Sequence, residues 1–407
     1  MSFTKKLHVN WRIIENVIFV CAFGFIMYKL ISDYSLSIYN SVKGRGFVGS
    51  VIRPFSNHNY YKSLLAIIIM LNVTYLLWEV LSLIVLLLKQ ESGTIPGDSK
   101  HKRIFNNVLV HYKSSFLALI ITELLPKLFL IHMFWIWLPH FQKIRLFTIN
   151  LQWYSWIYAY FCFEFAVWLY HFCSHRVRFL WCLHAPHHAP TELNLTVNWI
   201  NFFAEGFYST FVYLVILMLF GINPVMFVTI MLISTTWGMF AHISERALKN
   251  GKLGVLQHLI ITPAHHRVHH AKHPLYIDRN FASTVPLWDW LFGTLQPFKE
   301  EIRMDYGVTR ELDVTNFCDL YFGEILLLWR DVKNAATFKN KFLYFVKPPG
   351  WTPACSARTA SVLRREFLKT NPALGITSKN RMLSAIKSWV KIYKPAEDAL
   401  ADAAFID

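Results

Sequence analysis

Twelve of the chain's 18 histidines fall between His171 and His273, in clusters rather than scattered. Three sets stand out: HFCSH at 171–175, HAPHH at 184–188 and HHRVHH at 265–270. Imidazole is a neutral nitrogen donor near pH 7 and the commonest side-chain metal ligand. One zinc takes about four ligands, so this supply suits a pair of ions better than one. His171 and His175 stand four apart at the end of an apolar run, and on a helix such residues share a face. Glu164 falls on roughly that face, seven residues earlier. A carboxylate within an apolar span is costly. Two partners are open to it, a ligand imidazole donating a hydrogen bond or an interfacial Lys or Arg. Pro186 is expected to open a new helix whose first turn carries His187 and His188. Within the last set, His266, His269 and His270 repeat the H-x-x-H-H spacing, and His265 competes with His266 for its place.

The elements that must position these residues are apolar. Of 407 residues, 54% are hydrophobic and 16% charged, against about 25% charged in an ordinary soluble domain; mean hydropathy is +0.33. The composition is that of a membrane protein. A spanning helix needs roughly 20 apolar residues, which marks Ile14–Ile31, Leu64–Leu88, Phe116–Leu138 and Leu151–Tyr170. A fifth apolar stretch, Phe207–Phe240, is interrupted by Gly-Ile-Asn-Pro at 221–224. Gly and Pro break helices, so this stretch reads as a helical hairpin. If the N-terminus is cytosolic, four spans and a hairpin return every histidine set to the cytosolic face. The loop carrying Lys43, Arg45, Arg53 and Lys62 would then be external, against the usual bias of positive charge.

The expected fold is therefore all-α: a polytopic membrane protein with about four transmembrane helices, a helical hairpin and a cytosolic, helical, histidine-rich di-metal domain. The boundaries read as an N-terminal transmembrane region over 1–150, the di-metal domain over 151–298 and a cytosolic C-terminal region over 299–407. The net charge of +16 flanks apolar runs, which fits anionic lipid headgroups. No basic stretch interleaved with aromatics points to nucleic acid. The six cysteines show no CxxC pair and read as reduced. No small-residue cleavage site closes the first apolar run, so that run is expected to be retained as a span.

The full pattern, H-x3-H, H-x2-H-H and H-x2-H-H in this order, resembles the fatty acid hydroxylase/sterol desaturase superfamily of membrane di-iron enzymes. Matching text extends to TPAHHRVHHAKHPLYIDRNF, PLWDWLFGT, YGVT at 306–309 and KPPGW at 347–351. Those later segments are most like the superfamily's alkylglycerol monooxygenase branch and its bacterial sterol desaturase-like members. The resemblance covers about Phe161 to Pro353; the N-terminal spans match by hydropathy alone. It implies two irons held by His171, His175, His184, His187, His188, His266, His269 and His270, with His242 at the position of a further ligand after the hairpin. It also implies O2 as co-substrate, a lipid as substrate, and hydroxylation, desaturation or ether-lipid cleavage as the outcome. Cytochrome b5, a ferredoxin-like chain or tetrahydrobiopterin would be the external electron donor. The expected location is the endoplasmic reticulum in a eukaryote or the inner membrane in a bacterium.

A different class stays open, a histidine-rich metal-binding or metal-transport protein without redox catalysis. Transporters place ionisable ligands near the bilayer midplane, whereas these sets lie at span ends. Asp289 is open to two roles, capping a turn or hydrogen bonding behind a ligand. Trp168, Trp181, Trp199, Trp237, Trp288 and Trp290 fit either a lipid tunnel or an interfacial belt. His258 and His273 read as supporting or surface groups.

Overall fold

Apolar runs become helices here because a helix satisfies its backbone polar groups internally, which matters most where water is scarce. The computed structural model describes residues 58–91, 143, 145–150, 152–314, 316–353 and 358–375. The expected spans Ile14–Ile31 and Phe116–Leu138 lie outside the described residues. The described part is all-helical. It forms no strand, only an isolated antiparallel bridge between Ala271 and Tyr306.

Helix α1, His58–Glu91, contains the one described segment long and apolar enough to cross a membrane, Ile67–Leu86, with only 6% of its apolar window buried. Helix α2, Trp153–Arg176, covers the expected fourth run and continues past it through His171 and His175. Its first half exposes Tyr154, Ile157, Tyr158 and Phe161 on one side. The other side packs Ala159, Cys162 and Phe163 against Leu217, Met218, Met226, Phe227 and Ile230. Those partners belong to the expected hairpin, which is present as α4, Glu205–Leu219, and α5, Pro224–Ala241. Gly221 makes the break with φ +61, and a Cβ there would stand 2.7 Å from Phe147. Pro224 then starts α5, where its missing N–H costs nothing.

One expectation is corrected. Pro186 does not open a helix; it lies inside α3, Arg178–His188, near its end. The break falls earlier, at the extended Val177, which ends α2 and begins α3. The helix stops two residues beyond the proline, so the missing N–H disturbs only the final turn.

After the hairpin the chain turns through Gly251, at φ +63 and against the backbone N of Ala264, where a Cβ would stand at 2.6 Å. Helix α6, Pro263–His270, follows, with Pro263 in its first turn. A short helix α7, Leu287–Leu291, leads to the C-terminal part, helical as expected: α8, Phe317–Asn334, α9, Phe338–Val346, and α10, Ala360–Thr370. Helices α8 and α9 both pack on α3, and α5 packs on α1 and α6. Cys162, Cys173, Cys182 and Cys318 are free thiols.

Candidate metal centre

The helices α2, α3 and α6, with the turn after α5, bring all nine expected ligand residues to one place. They divide into two groups. The first is His171, His175, His184, His188 and His269; the second is His187, His242, His266 and His270. Within each group the donor nitrogens lie within 4.8 Å of one another. The division follows helix geometry. On α3, His184 and His188 stand one turn apart and join the first group, while His187, about 100° around the helix from His188, joins the second. On α6, His269 goes to the first group and His266 and His270 to the second. The groups adjoin, with the rings of His188 and His270 stacked at 4.4 Å.

The contacts inside each group are between Nε2 atoms. His184 Nε2 lies 3.1 Å from that of His171 and 3.2 Å from that of His188. In the second group, His242 Nε2 stands 3.3 Å from His187 and 2.8 Å from His266, and His266 stands 3.0 Å from His270. Two donors bound side by side to an ion at about 2.1 Å stand about 3.0 Å apart at a right angle and about 3.4 Å apart in a tetrahedron. The buried Nε2 atoms of His175 and His269 have no hydrogen-bond partner.

The far side of the rings decides what these contacts mean. His171 Nδ1 pairs with Phe281 O at 2.9 Å, His187 with Val197 O at 3.1 Å, His242 with Gly238 O at 2.7 Å and His269 with Arg279 O at 2.8 Å. A carbonyl only accepts, so each Nδ1 carries the proton and, in a neutral ring, each Nε2 is a bare lone pair. His187 and His242 therefore turn lone pair to lone pair with no proton between them. That contact is repulsive alone and favourable around a cation. His184 Nδ1 and His175 Nδ1 instead meet carboxylates, Glu205 Oε1 at 2.5 Å and Asp278 Oδ1 at 3.2 Å.

Charge on the rings is suppressed as well. Burial, followed by neighbouring imidazoles, pushes His187, His188, His266 and His270 well below the usual imidazole range. Burial brings His242 to about 4 and His269 to about 3. Neutral rings with inward lone pairs are the state that binds a metal. The donor set fits two metal ions, and nitrogen-rich sites suit iron, copper, nickel or zinc.

His265 stands outside both groups. Its Nδ1 accepts from the Thr262 N–H at 3.3 Å and pairs with the Thr262 hydroxyl at 3.0 Å, closing the first turn of α6. His266 is the residue that reaches the second group. His273 is also outside, accepting from the Leu275 N–H at 3.2 Å.

Glu164 takes neither of its expected partners. Its oxygens accept from Thr284 N at 3.0 Å, Thr284 Oγ1 at 2.8 Å and Val285 N at 3.2 Å. It fastens the 281–285 segment to α2, and so supports Phe281, whose carbonyl holds His171. Asp289 does the same from the other side, accepting from Phe281 N at 2.9 Å, Ala282 N at 2.8 Å and Thr294 Oγ1 at 2.6 Å. Trp168 donates to Asp289 at 3.2 Å and Trp237 donates to Ile261 O at 2.7 Å, so both indoles brace the scaffold.

Sequence reasoning missed Glu205 and Asp278. Glu205 also accepts from the Tyr170 hydroxyl. The available signal was an acidic residue at the start of an apolar run and another in YIDRNF. It also missed Glu79 of α1, 1% exposed. Glu79 accepts from Ser244 N at 3.1 Å and Arg246 at 2.9 Å, which ties the long apolar helix to the turn that carries His242.

The fold and site thus define a helical protein with two adjoining histidine groups fit for metal ions. Residues 156–294 match the fatty acid hydroxylase family, and this stretch spans the histidine-bearing helices, as the motif resemblance led one to expect. Alkylglycerol monooxygenase of Xenopus tropicalis is 31% identical over 208 residues, covering 50% of this chain and 45% of the relative. The Homo sapiens alkylglycerol monooxygenase is 29% identical over 215 residues, covering 52% and 46%. Ornithine lipid hydroxylase OlsE of Rhizobium tropici is 25% identical over 146 residues, covering 36% and 43%. The aligned part spans less than half the length of these curated relatives. No solved structure matches the chain.

Proposed function

We propose that the protein is a multi-pass membrane oxidoreductase that uses two histidine-bound irons and O2 to attack a C–H bond of a lipid, with the metal groups on the cytosolic face. The observation that carries this reading is the facing of bare Nε2 lone pairs across both groups, with outward Nδ1 protons fixed by carbonyls and carboxylates. Nine donors closing into two adjoining groups favour catalysis over transport, which calls for ligands strung along a path. When bound, the irons would supply O2 activation and two-electron oxidation.

The chain's own residues do the rest. Glu205 and Asp278 hold the protons of His184 and His175 and raise the donor strength of those rings. Glu164 and Asp289 keep Phe281 in place behind His171. His171 is the only partly exposed histidine of the first group, which makes its side the one from which a lipid would reach the irons. Position of the lipid relative to the irons would decide between hydroxylation, desaturation and ether cleavage. Ether lipids come first among substrates, on the strength of the alkylglycerol monooxygenase relatives. An external donor supplies electrons: cytochrome b5, a ferredoxin-like chain or tetrahydrobiopterin.

Purified protein should contain two irons per chain and consume O2 only with lipid and reductant present. Mass spectrometry across alkylglycerols, fatty acids, sterols and sphingolipids should then show one oxidised product class, absent from the His187→Ala variant. Variable zinc content without O2 consumption would overturn the reading.

A further inference from the structure

A basic cleft opens beside the first histidine group, between the end of α2, residues 277–279 and α10. Its volume is about 500 Å³, within the range of small-molecule sites. Arg176, Arg279, Arg364, Arg365 and Lys369 line it, against a single carboxylate, Asp278. That carboxylate is already engaged, by His175 Nδ1 at 3.2 Å and by Arg176 Nε at 3.5 Å. The walls therefore carry a large surplus of positive charge.

The fold holds these cations in place. Arg279 donates to Gly293 O at 2.6 Å, and its buried Nε makes no hydrogen bond, as is true of Arg176 Nε. Arg364 donates to Leu275 O and, at 2.9 Å, to Gln296 Oε1. Burial first, and the nearby Arg279 second, hold Arg364 down to about 10. Arg365 and Lys369, one turn apart on α10, are exposed at the mouth. Ala360 and Ser361 bring the N-terminal end of α10 to the same cleft, and that end of a helix favours negative charge.

We propose that this cleft binds a soluble, phosphate-bearing small molecule, with its phosphate seated on Arg279, Arg364, Arg365 and Lys369. Guanidinium forks match phosphate oxygens in pairs, which carboxylate-poor arginine clusters are suited to do. A soluble source matches the solvent-exposed mouth formed by Arg365 and Lys369. Exposed Phe179, three residues beyond Arg176, and Phe292, beside the Gly293 carbonyl that holds Arg279, make a lipid headgroup the alternative that the second arm of the test separates. The site stands whichever metal the histidines hold. Its walls nonetheless include the Asp278 carboxylate and the residue whose carbonyl fixes His269, so a bound anion would sit one hydrogen bond behind the first group.

Calorimetric titration of pyrophosphate into the purified full-length protein tests this, alongside an Arg365→Glu, Lys369→Glu double variant. Both residues are exposed and outside the histidine groups, so metal content should be equal in the two proteins. The expected result is one-to-one binding that the double substitution weakens at least tenfold. Absence of binding, or equal affinity in the variant, overturns the proposal. A parallel arm uses nanodiscs containing phosphatidic acid. Binding there that the substitutions weaken, without any pyrophosphate binding, would assign the cleft to a lipid headgroup and overturn the soluble ligand.

Discussion

The two histidine groups use the same side chain but are braced differently. In the first, His184 and His175 lean on the carboxylates of Glu205 and Asp278, while His171 and His269 lean on carbonyls. In the second, the braces are the carbonyls of Val197 and Gly238. An ionised carboxylate accepts a stronger hydrogen bond than a carbonyl and makes the ring a better donor. With an iron in each group as proposed, the first, with five donors and two carboxylates behind them, would hold it more tightly and at a lower reduction potential. The second, with four donors and neutral braces, would be the more easily emptied. One scaffold would then give two unequal sites from the same side chain.

The strongest way to break this comparison is to remove a ligand from each group. His184→Ala should strip the first group and His242→Ala the second, each halving iron content and abolishing lipid oxidation. Simultaneous loss of both irons from either variant, read by elemental analysis, would show a single cooperative site instead. A smaller effect separates the braces. Glu205→Gln should weaken the first group's metal affinity by about 10–100-fold and leave the second unchanged in a chelator competition. Equal weakening of both would remove the distinction. The smallest effect concerns His265, next to His266 but outside both groups. Its folded value lies at about 4, below the usual value of about 6.5. Between those values the unfolded chain binds a proton that the folded chain does not, so stability is lost as pH falls through that window. In metal-stripped protein, His265→Gln should reduce the slope of melting temperature against pH there by at most about one proton's worth. An unchanged slope would assign the acid sensitivity to the groups alone.

What could be read from the sequence was the donor list and the hairpin, because both are local. The four-residue step from His171 to His175 and the Gly-Ile-Asn-Pro break act within a turn or two of helix. The partition into two groups was also latent in the 100° step between His187 and His188, yet it needs the helix to start at Arg178, and Pro186 pointed elsewhere. Glu205 and Asp278 were hidden by distance along the chain. They lie 21 and 103 residues from the histidines they serve, and nothing in local spacing encodes such a pairing. Glu164 shows the limit from the other direction. Its cost in an apolar helix was legible, but its partners are two backbone amides and the Thr284 hydroxyl, 120 and 121 residues away, and nothing in local spacing points to them.

Arg267 stands between His266 and His269 in the sequence of α6 and is 1% exposed. It donates to the carbonyls of Ile243, Ser244, Leu248 and Lys249 at 2.7–3.0 Å. Its two terminal nitrogens thus stitch α6 to the turn that carries His242, and the two segments become a single unit of local opening. A fluctuation that lifts α6 must also release the turn, so amide exchange in both should follow one common free energy rather than two. Three of the second group's four histidines, His242, His266 and His270, then open together, so an ion bound there as proposed would be held cooperatively.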